Sequence, residues 1–233
     1  CVSCGICSNV CKVGAHAQAG GKHHFNESLC TYCGECAVHC PQGALRCDAR
    51  LYTPESLSGI LMRDYQYYQN SGGGVTVSGG EPMLKARFIR ELFILLKAQG
   101  VRTAVDTAAS VGWEMIEQVL PVCDLFLVDL KAIDPEIHLK FTGADNAVIL
   151  KNIRRLSEHH AGLELRMPLI RGVNDSVVFA QRTADFLTSL PHIPPVRLLA
   201  YHNYGLYKGQ SIHLEMQEFR PPESTEAFAA ILR

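Results

Sequence analysis

Val75-Thr76-Val77-Ser78-Gly79-Gly80-Glu81-Pro82 reads as a short buried strand that stops abruptly at a glycine pair. Its opening residues are β-branched or apolar, as in a strand covered on both faces. Gly79 and Gly80 carry no Cβ, so the chain can bend sharply and a ligand can lie against bare amides. Glu81 places a carboxylate at the strand end, and Pro82 ends further pairing. A carboxylate and free backbone groups at a strand terminus suit a small zwitterionic ligand. Alone the motif says little; its weight comes from the cysteines before it and the strand–helix units after it.

Around this stretch, helix and strand alternate from residue 53 onward. Thr53-Pro54-Glu55 opens a helix over 53–70 with a cap and a first-turn proline. Ser71-Gly72-Gly73-Gly74 breaks it, and a strand follows at 75–78. Helical spacing of apolar residues over 85–99 ends at Gly100. Strands are expected at 101–107, 125–130, 163–170 and 196–201, with helices at 113–120, 135–141, 146–160 and 177–190 and a last helix from 223. This order implies an α/β fold with parallel pairing and right-handed crossovers.

In such folds chemistry gathers at strand ends, and the polar residues fall there. The first strand ends in Gly79, Gly80 and Glu81, and the second in Asp106-Thr107. The third carries Asp129-Leu130-Lys131, the fourth Arg166, and the fifth runs into Tyr201-His202-Asn203. Asp129 and Lys131, two apart, share one side of a strand, where a functional acid–base pair and a structural ion pair are both readings. Arg166, flanked by Leu165 and Met167, lies on the face opposite them, for a ligand or a structural carboxylate. Asp106 also reads as a turn residue and His202 as a satisfied core histidine. Gly172-Val173-Asn174-Asp175-Ser176 reads as a turn with a helix cap.

Eight of the ten cysteines lie in the first forty residues, as one pattern written twice. Cys1-x2-Cys4-x2-Cys7-x3-Cys11 is followed by Cys30-x2-Cys33-x2-Cys36-x3-Cys40-Pro41, the arrangement of two-cluster bacterial ferredoxins. The fourth cysteine of each run reaches the other cluster. The expected ligand sets for two [4Fe–4S] clusters are therefore Cys1, Cys4, Cys7 and Cys40, and Cys30, Cys33, Cys36 and Cys11. Zinc has no use for a third cysteine at this spacing, and a secreted disulfide scaffold fits neither the regular spacing nor the ordinary chain that follows. Lys12 stands where a proline often follows the fourth cysteine, which removes no ligand. Gly5 and Gly34 let the backbone pass near the sulfides. Cys123 reads as a buried structural thiol, and His16, His23 and His24 as solvent-facing linker residues. The domain boundary is expected at 50/51.

The chain has 233 residues and a formal net charge of −1, so no electrostatic footprint argues for nucleic acid or an anionic membrane. There is no apolar run of spanning length, and no signal peptide is expected. Ten histidines raise a metal hydrolase, but no H-x-H or H-E-x-x-H pairing occurs.

Taken together, the double cysteine run, residues 71–82, Val105-Asp106-Thr107, Asp129-Leu130-Lys131, 166–175 and 195–207 resemble one family over essentially the whole chain. It is the radical S-adenosylmethionine enzymes that activate glycyl radical enzymes, in the subgroup with a two-cluster ferredoxin insert. The resemblance implies a TIM-type (β/α) barrel over 51–233 behind a ferredoxin-like domain over 1–50. Gly79, Gly80 and Glu81, with Pro82 closing the motif, would hold the methionine amino group of S-adenosylmethionine. Asp129, Leu130, Lys131 and Arg166 would contact its polar parts, Asp129 and Lys131 as electrostatic positioning groups at the catalytic centre, with His202 on the adenosine side. Asp106, Thr107 and Asp129 resemble the ligands of a monovalent cation. Ala108 and Ala109 stand where family members often carry Asn and Gly. Residues 201–207 resemble the region that meets the incoming glycine-bearing peptide.

The family also needs a C-x3-C-x2-C motif for the cluster that cleaves S-adenosylmethionine, and this sequence has none. The chain begins at a cysteine and ends inside a helix, so the expectation is a truncated sequence. Its barrel would lack the first strand, leaving an exposed parallel edge at 75–78, and the third [4Fe–4S] cluster would sit on the missing segment. In the intact protein a low-potential flavodoxin or ferredoxin would supply an electron. Cleavage of S-adenosylmethionine would yield a 5′-deoxyadenosyl radical, which takes hydrogen from a backbone glycine of the partner enzyme. The fragment alone is expected to bind iron but not to cleave S-adenosylmethionine, and the protein to be a cytoplasmic monomer. The competing reading is an electron-transfer module fused to a docking barrel without radical chemistry.

Overall fold

The computed structural model describes residues 1–47, 51–159, 162–202 and 218–233. The chain divides into two compact units, Cys1–Thr53 and Pro54–Arg233.

In the first unit the backbone repeats as the cysteines do. Left-handed φ recurs at matching places of the two runs: Ser3 and Tyr32 at 54°, Gly5 at 81° and Gly34 at 80°, Gly14 at 66° and Gly43 at 56°. Gly5 and Gly34 then open two short helices, α1 (Ile6–Val10) and α2 (Glu35–Val38). Between them lies an antiparallel hairpin that the sequence reading placed in a linker, β1 (His16–Ala19) with β2 (Lys22–Phe25). Gly20 and Gly21 close it, both with positive φ, as a tight two-residue hairpin turn demands. Cross-strand pairing puts His16 opposite Phe25 and Gln18 opposite His23 on one face, and His24 on the other.

The second unit is α/β. Its elements run α3 (Pro54–Leu61), α4 (Tyr65–Ser71), β3 (Gly74–Val77), α5 (Ala86–Ala98), β4 (Arg102–Thr107), α6 (Trp113–Val119), β5 (Leu125–Asp129), α7 (Pro135–Thr142), α8 (Ala147–Glu158), β6 (Leu163–Leu169), α9 (Val177–Thr188), β7 (Val196–Ala200) and α10 (Glu226–Leu232). The five strands form one parallel sheet in the order β3-β4-β5-β6-β7. Among the described residues β3 pairs only with β4, so one of its edges carries no strand.

Two boundaries move for identifiable reasons. The expected helix 53–70 is interrupted by a 3₁₀ turn at Met62–Asp64. The Tyr68 hydroxyl donates to the Leu61 carbonyl, and the Tyr65 N–H bonds to Met62 O instead. β3 begins at Gly74 because a Cβ there would sit 2.0 Å from Arg102 O, so only glycine permits this pairing.

The two faces of the sheet differ chemically. In β6, Leu163, Leu165, Met167 and Leu169 are buried while Glu164, Arg166 and Pro168 are half-buried. β4 and β5 alternate in the same way. The buried set joins Ile89, Phe93 and Leu96 of α5, Ile116 of α6, Ile153 and Leu156 of α8 and Leu187 of α9 in one core. Helices thus cover one face and set its apolar composition. The opposite face carries Asp106, Asp129, Glu164, Arg166 and Arg197. No helix among the described residues is long and apolar enough to cross a membrane.

Candidate functional site

Register brings the charged residues of the uncovered face together. Asp129 pairs with Arg166 across β5 and β6. Arg166 Nη2 donates to Asp106 Oδ1 at 2.9 Å and Oδ2 at 3.0 Å, and to Asp129 Oδ1 at 3.3 Å. Asp129 Oδ2 accepts from Lys131 Nζ at 2.8 Å. One cation therefore bridges two acids on neighbouring strands, and a second closes the row. These side chains are only partly shielded, Arg166 being 25% exposed and Lys131 42%, so a polar ligand can reach them.

The loop after β3 is tied to the loop after β4 by one carboxylate. Glu81 Oε1 accepts from Met83 N at 3.0 Å and Thr107 Oγ1 at 2.6 Å, and Oε2 from Ala108 N at 3.1 Å. The side chain expected to meet a ligand is thus mostly engaged within the protein, and its position beside Gly79 and Gly80 is fixed by those bonds. Thr107 Oγ1 also accepts from Ala109 N at 2.8 Å. Ala109 sits at φ 53°, the left-handed conformation that glycine takes without strain.

Gly79 has φ 146°, outside the range of ordinary side chains. Gly80 has no such backbone demand, and a Cβ added to it meets nothing within 4 Å. Among the described residues neither conformation nor packing requires glycine there.

Other sequence-expected residues are placed differently. Leu130 is 0% exposed and joins the helix-side core; its N–H donates to Arg166 O, so its side chain cannot touch a ligand on the open face. Pro82 is buried at the start of a 3₁₀ turn. Thr107 is 2% exposed, on the covered face, away from the carboxylates of Asp106 and Asp129. Its hydroxyl serves Glu81, so the three do not form a side-chain cation cage. His202 is exposed just beyond β7, and residues 203–207 of the expected peptide-docking region lie outside the described residues.

Sequence reasoning passed over three buried asparagines, each 2% exposed, that pin the rim loops. Asn152 Nδ2 donates to Ala109 O and Val111 O after β4, and Asn146 Nδ2 to Ala132 O and Ile133 O after β5. Asn174 Nδ2 donates to Lys131 O and Pro168 O, while its Oδ1 accepts from Ile170 N. The available signal was an amide at a core position of helical spacing, as Asn152 is among Ile149, Ile153 and Leu156. The Glu164–Arg197 pair on the open face was also missed; Arg197 donates at 2.6 Å and holds the Glu164 carboxyl below its usual range.

In the first unit, Cys1, Cys4, Cys7 and Cys40 line one cavity. Cys11 Sγ accepts from Ala15 N at 3.2 Å and Cys40 Sγ from Ala44 N at 3.3 Å, at matching places of the two runs. Backbone N–H groups, led by Val13 for Cys11 and Gln42 for Cys40, lower both thiols from their ordinary value, which favours the ligating thiolate. Cys36 is raised, chiefly by burial. His16 is not solvent-facing: it is 5% exposed, its Nδ1 lies 2.8 Å from His23 Nε2, and its ring stacks on Phe25. The cross-strand alternation of the hairpin turns His16 inward; only His24 is fully exposed, as expected.

Comparison with known proteins places this architecture. The Radical SAM superfamily model matches residues 27–180. The chain is 37% identical over 227 residues to the trans-4-hydroxy-L-proline dehydratase activating enzyme of Clostridioides difficile, covering 95% of this chain and 75% of that protein. It is 36% identical over 187 residues to the (2S)-3-sulfopropanediol dehydratase activating enzyme of Klebsiella oxytoca, covering 79% of this chain and 59% of that protein. A crystal structure of a domain of pyruvate-formate lyase-activating enzyme from Bacteroides vulgatus superposes with TM-score 0.59 at 35% identity, over 69% of this chain and 92% of that one. The chain belongs to the radical SAM superfamily and, within it, to the glycyl-radical enzyme activating enzymes. It spans between about three fifths and three quarters of the length of the first relatives it matches.

Proposed function

We propose that this chain forms the S-adenosylmethionine-binding part of an oxidoreductase that installs a glycyl radical on a partner enzyme. The observation that carries the reading is the Asp106–Arg166–Asp129–Lys131 row on the sheet face opposite the helix-packed core, in a chain of this family. It goes against a plain electron-transfer module, which needs no such row.

The residues fit the cofactor. Glycine at position 80, demanded by nothing among the described residues, is accounted for by a ligand lying against its amide. Gly79 and Gly80 would receive the methionine amino group, with Glu81 holding their loop against Thr107 and Ala108. Lys131 and Arg166 would face the carboxylate and ribose, and His202 the adenosine. The bound cofactor, reduced at a [4Fe–4S] cluster, supplies the hydrogen-abstracting chemistry. The chain's own part is to orient it and exclude water through a rim that Asn146, Asn152 and Asn174 hold rigid. No side chain need act as general acid or base.

The eight head cysteines fit two [4Fe–4S] clusters, with Cys1, Cys4, Cys7 and Cys40 sharing one cavity. We read residues 1–50 as a ferredoxin-like relay and 51–233 as part of a (β/α) barrel. A flavodoxin or ferredoxin is the donor class that such a relay accepts.

Anaerobic reconstitution followed by iron counting and titration with S-adenosylmethionine tests this. About eight irons are expected for two cubanes of four, with binding weakened at least tenfold by Lys131→Ala. Binding indifferent to Lys131→Ala and to Arg166→Met would contradict the site. The chain as given is expected to bind without forming 5′-deoxyadenosine. A protein that joins these residues to a C-x3-C-x2-C motif is expected to raise a glycyl radical doublet on its partner.

A further inference from the structure

We infer that His23, held by His16, donates a ring N–H to the sulfur of Cys7 and raises the reduction potential of the cluster of Cys1, Cys4, Cys7 and Cys40. The inference rests on the two-cluster reading above.

The hairpin supplies the geometry. Its pairing places His16, Gln18 and His23 on one face, and that face meets the first cysteine loop. Gln18 Nε2 donates to Ser3 O at 2.8 Å, and a Cβ on Gly5 would lie 3.5 Å from Gln18 Nε2. His23 lines the cavity of the four thiols. The Cys7 sulfur and one ring nitrogen from each of His16 and His23 lie within 4.8 Å of one another. Among the described residues this is the one such cluster of three metal-ligating groups.

The His16–His23 contact decides what His23 can offer. His16 Nδ1 and His23 Nε2 share one proton across 2.8 Å. With His16 Nδ1 donating, the proton of neutral His23 sits on Nδ1, which is then a donor. The same two nitrogens are too close to be joint ligands of one ion, which tetrahedral bonds of about 2.0–2.1 Å would hold roughly 3.3 Å apart. A hydrogen-bond role fits better than a ligand role.

The effect is confined to one cluster. Ala15 N donates to Cys11 and Ala44 N to Cys40 at matching places of the two runs, and Tyr32 N adds a 3.3 Å bond to Cys30 in the other set. The histidine pair acts on the Cys7 set alone. A hydrogen bond to a ligating sulfur stabilises the extra negative charge of the reduced cluster and raises its potential.

The test is EPR-monitored redox titration of the reconstituted chain and its His23→Phe, His23→Gln and His24→Phe variants. His23→Phe is expected to move one cluster couple to more negative potential and leave the other in place. His23→Gln, which keeps an N–H donor, is expected to return part of the shift, and His24→Phe to change neither. Two intact clusters whose potentials ignore His23→Phe, or an equal shift with His24→Phe, overturn the inference. Pulsed EPR of the reduced wild-type chain with and without ¹⁵N-labelled histidine gives a check that needs no variant. A histidine nitrogen coupling on one cluster supports the inference and its absence overturns it. Fewer than about eight irons would instead remove the two-cluster reading itself.

Discussion

Thr107→Val keeps the shape of a buried side chain and deletes its hydroxyl, and two contacts go with it. The hydroxyl donates to the Glu81 carboxylate at 2.6 Å, a charge-assisted bond worth about 1.5–3 kcal/mol. It also accepts from Ala109 N at 2.8 Å. Ala109 is 0% exposed and Thr107 2%, so water cannot replace the lost partner, and a buried N–H left unpaired costs about 1–3 kcal/mol. The expected total is roughly 3–5 kcal/mol, a large share of the ~5–15 kcal/mol that holds a domain folded. For a unit of this size that corresponds to a fall in melting temperature of about 6–20 °C. Thr107→Ser keeps the hydroxyl and loses one methyl, for about 1 kcal/mol. Trp113 is the only tryptophan and is packed in this unit's core, so its fluorescence during urea unfolding reports the relevant transition. A Thr107→Val protein within about 1 kcal/mol of wild type, or a Thr107→Ser protein equally damaged, would refute the clamp between Glu81 and the β4 loop.

Other consequences are equally open to measurement. Arg166→Met leaves Asp106 and Asp129 without their shared cation and should destabilise the unit by about 1–3 kcal/mol; adding Asp106→Asn should restore part of that in a double-mutant cycle, whereas strict additivity would argue against the bridge. Asp134 caps α7, and the Ile137 N–H, with Glu136 N–H and Arg182, holds its carboxyl below the usual range against the cost of burial. Its contribution is therefore complete above the unfolded-chain value near pH 4 and lost as pH falls through the lower folded value. Asp134→Asn should keep the cap and flatten that acid-side slope of the urea midpoint, while Asp134→Ala should cost about 1 kcal/mol at neutral pH. Burial pushes the Cys123 thiol up to about 12, so peptide mapping should find it unalkylated by iodoacetamide in the native chain at pH 8 and alkylated once unfolded.

Period and punctuation carried most of the architecture. Leu163-Glu164-Leu165-Arg166-Met167-Pro168-Leu169 alternates in sequence as it does in burial, so Arg166 could be assigned to the open face before any coordinates. Glycine runs at 72–74 and 79–80 marked both ends of β3. What the sequence hid depends on partners distant in the chain. Leu130 sits between Asp129 and Lys131 yet turns inward, because neighbours in a strand face opposite ways. Glu81 read as a free carboxylate because its partners, Thr107 and Ala108, arrive from the next strand. His16 is buried by a hairpin whose turn, Gly20-Gly21, reads in sequence as part of a linker. The break at Met62–Asp64 goes with a bond between the Tyr68 hydroxyl and the Leu61 carbonyl, seven residues apart.

Gly80 gives the central claim its cleanest trial, because a methyl group there touches nothing among the described residues and needs no unusual backbone. Calorimetric titration of S-adenosylmethionine into the reconstituted chain and into Gly80→Ala, with melting temperatures measured alongside, should show binding at least about tenfold weaker in the variant, or 1.4 kcal/mol, at unchanged stability. Equal affinity in the two proteins would mean that the cofactor does not lie against this strand end.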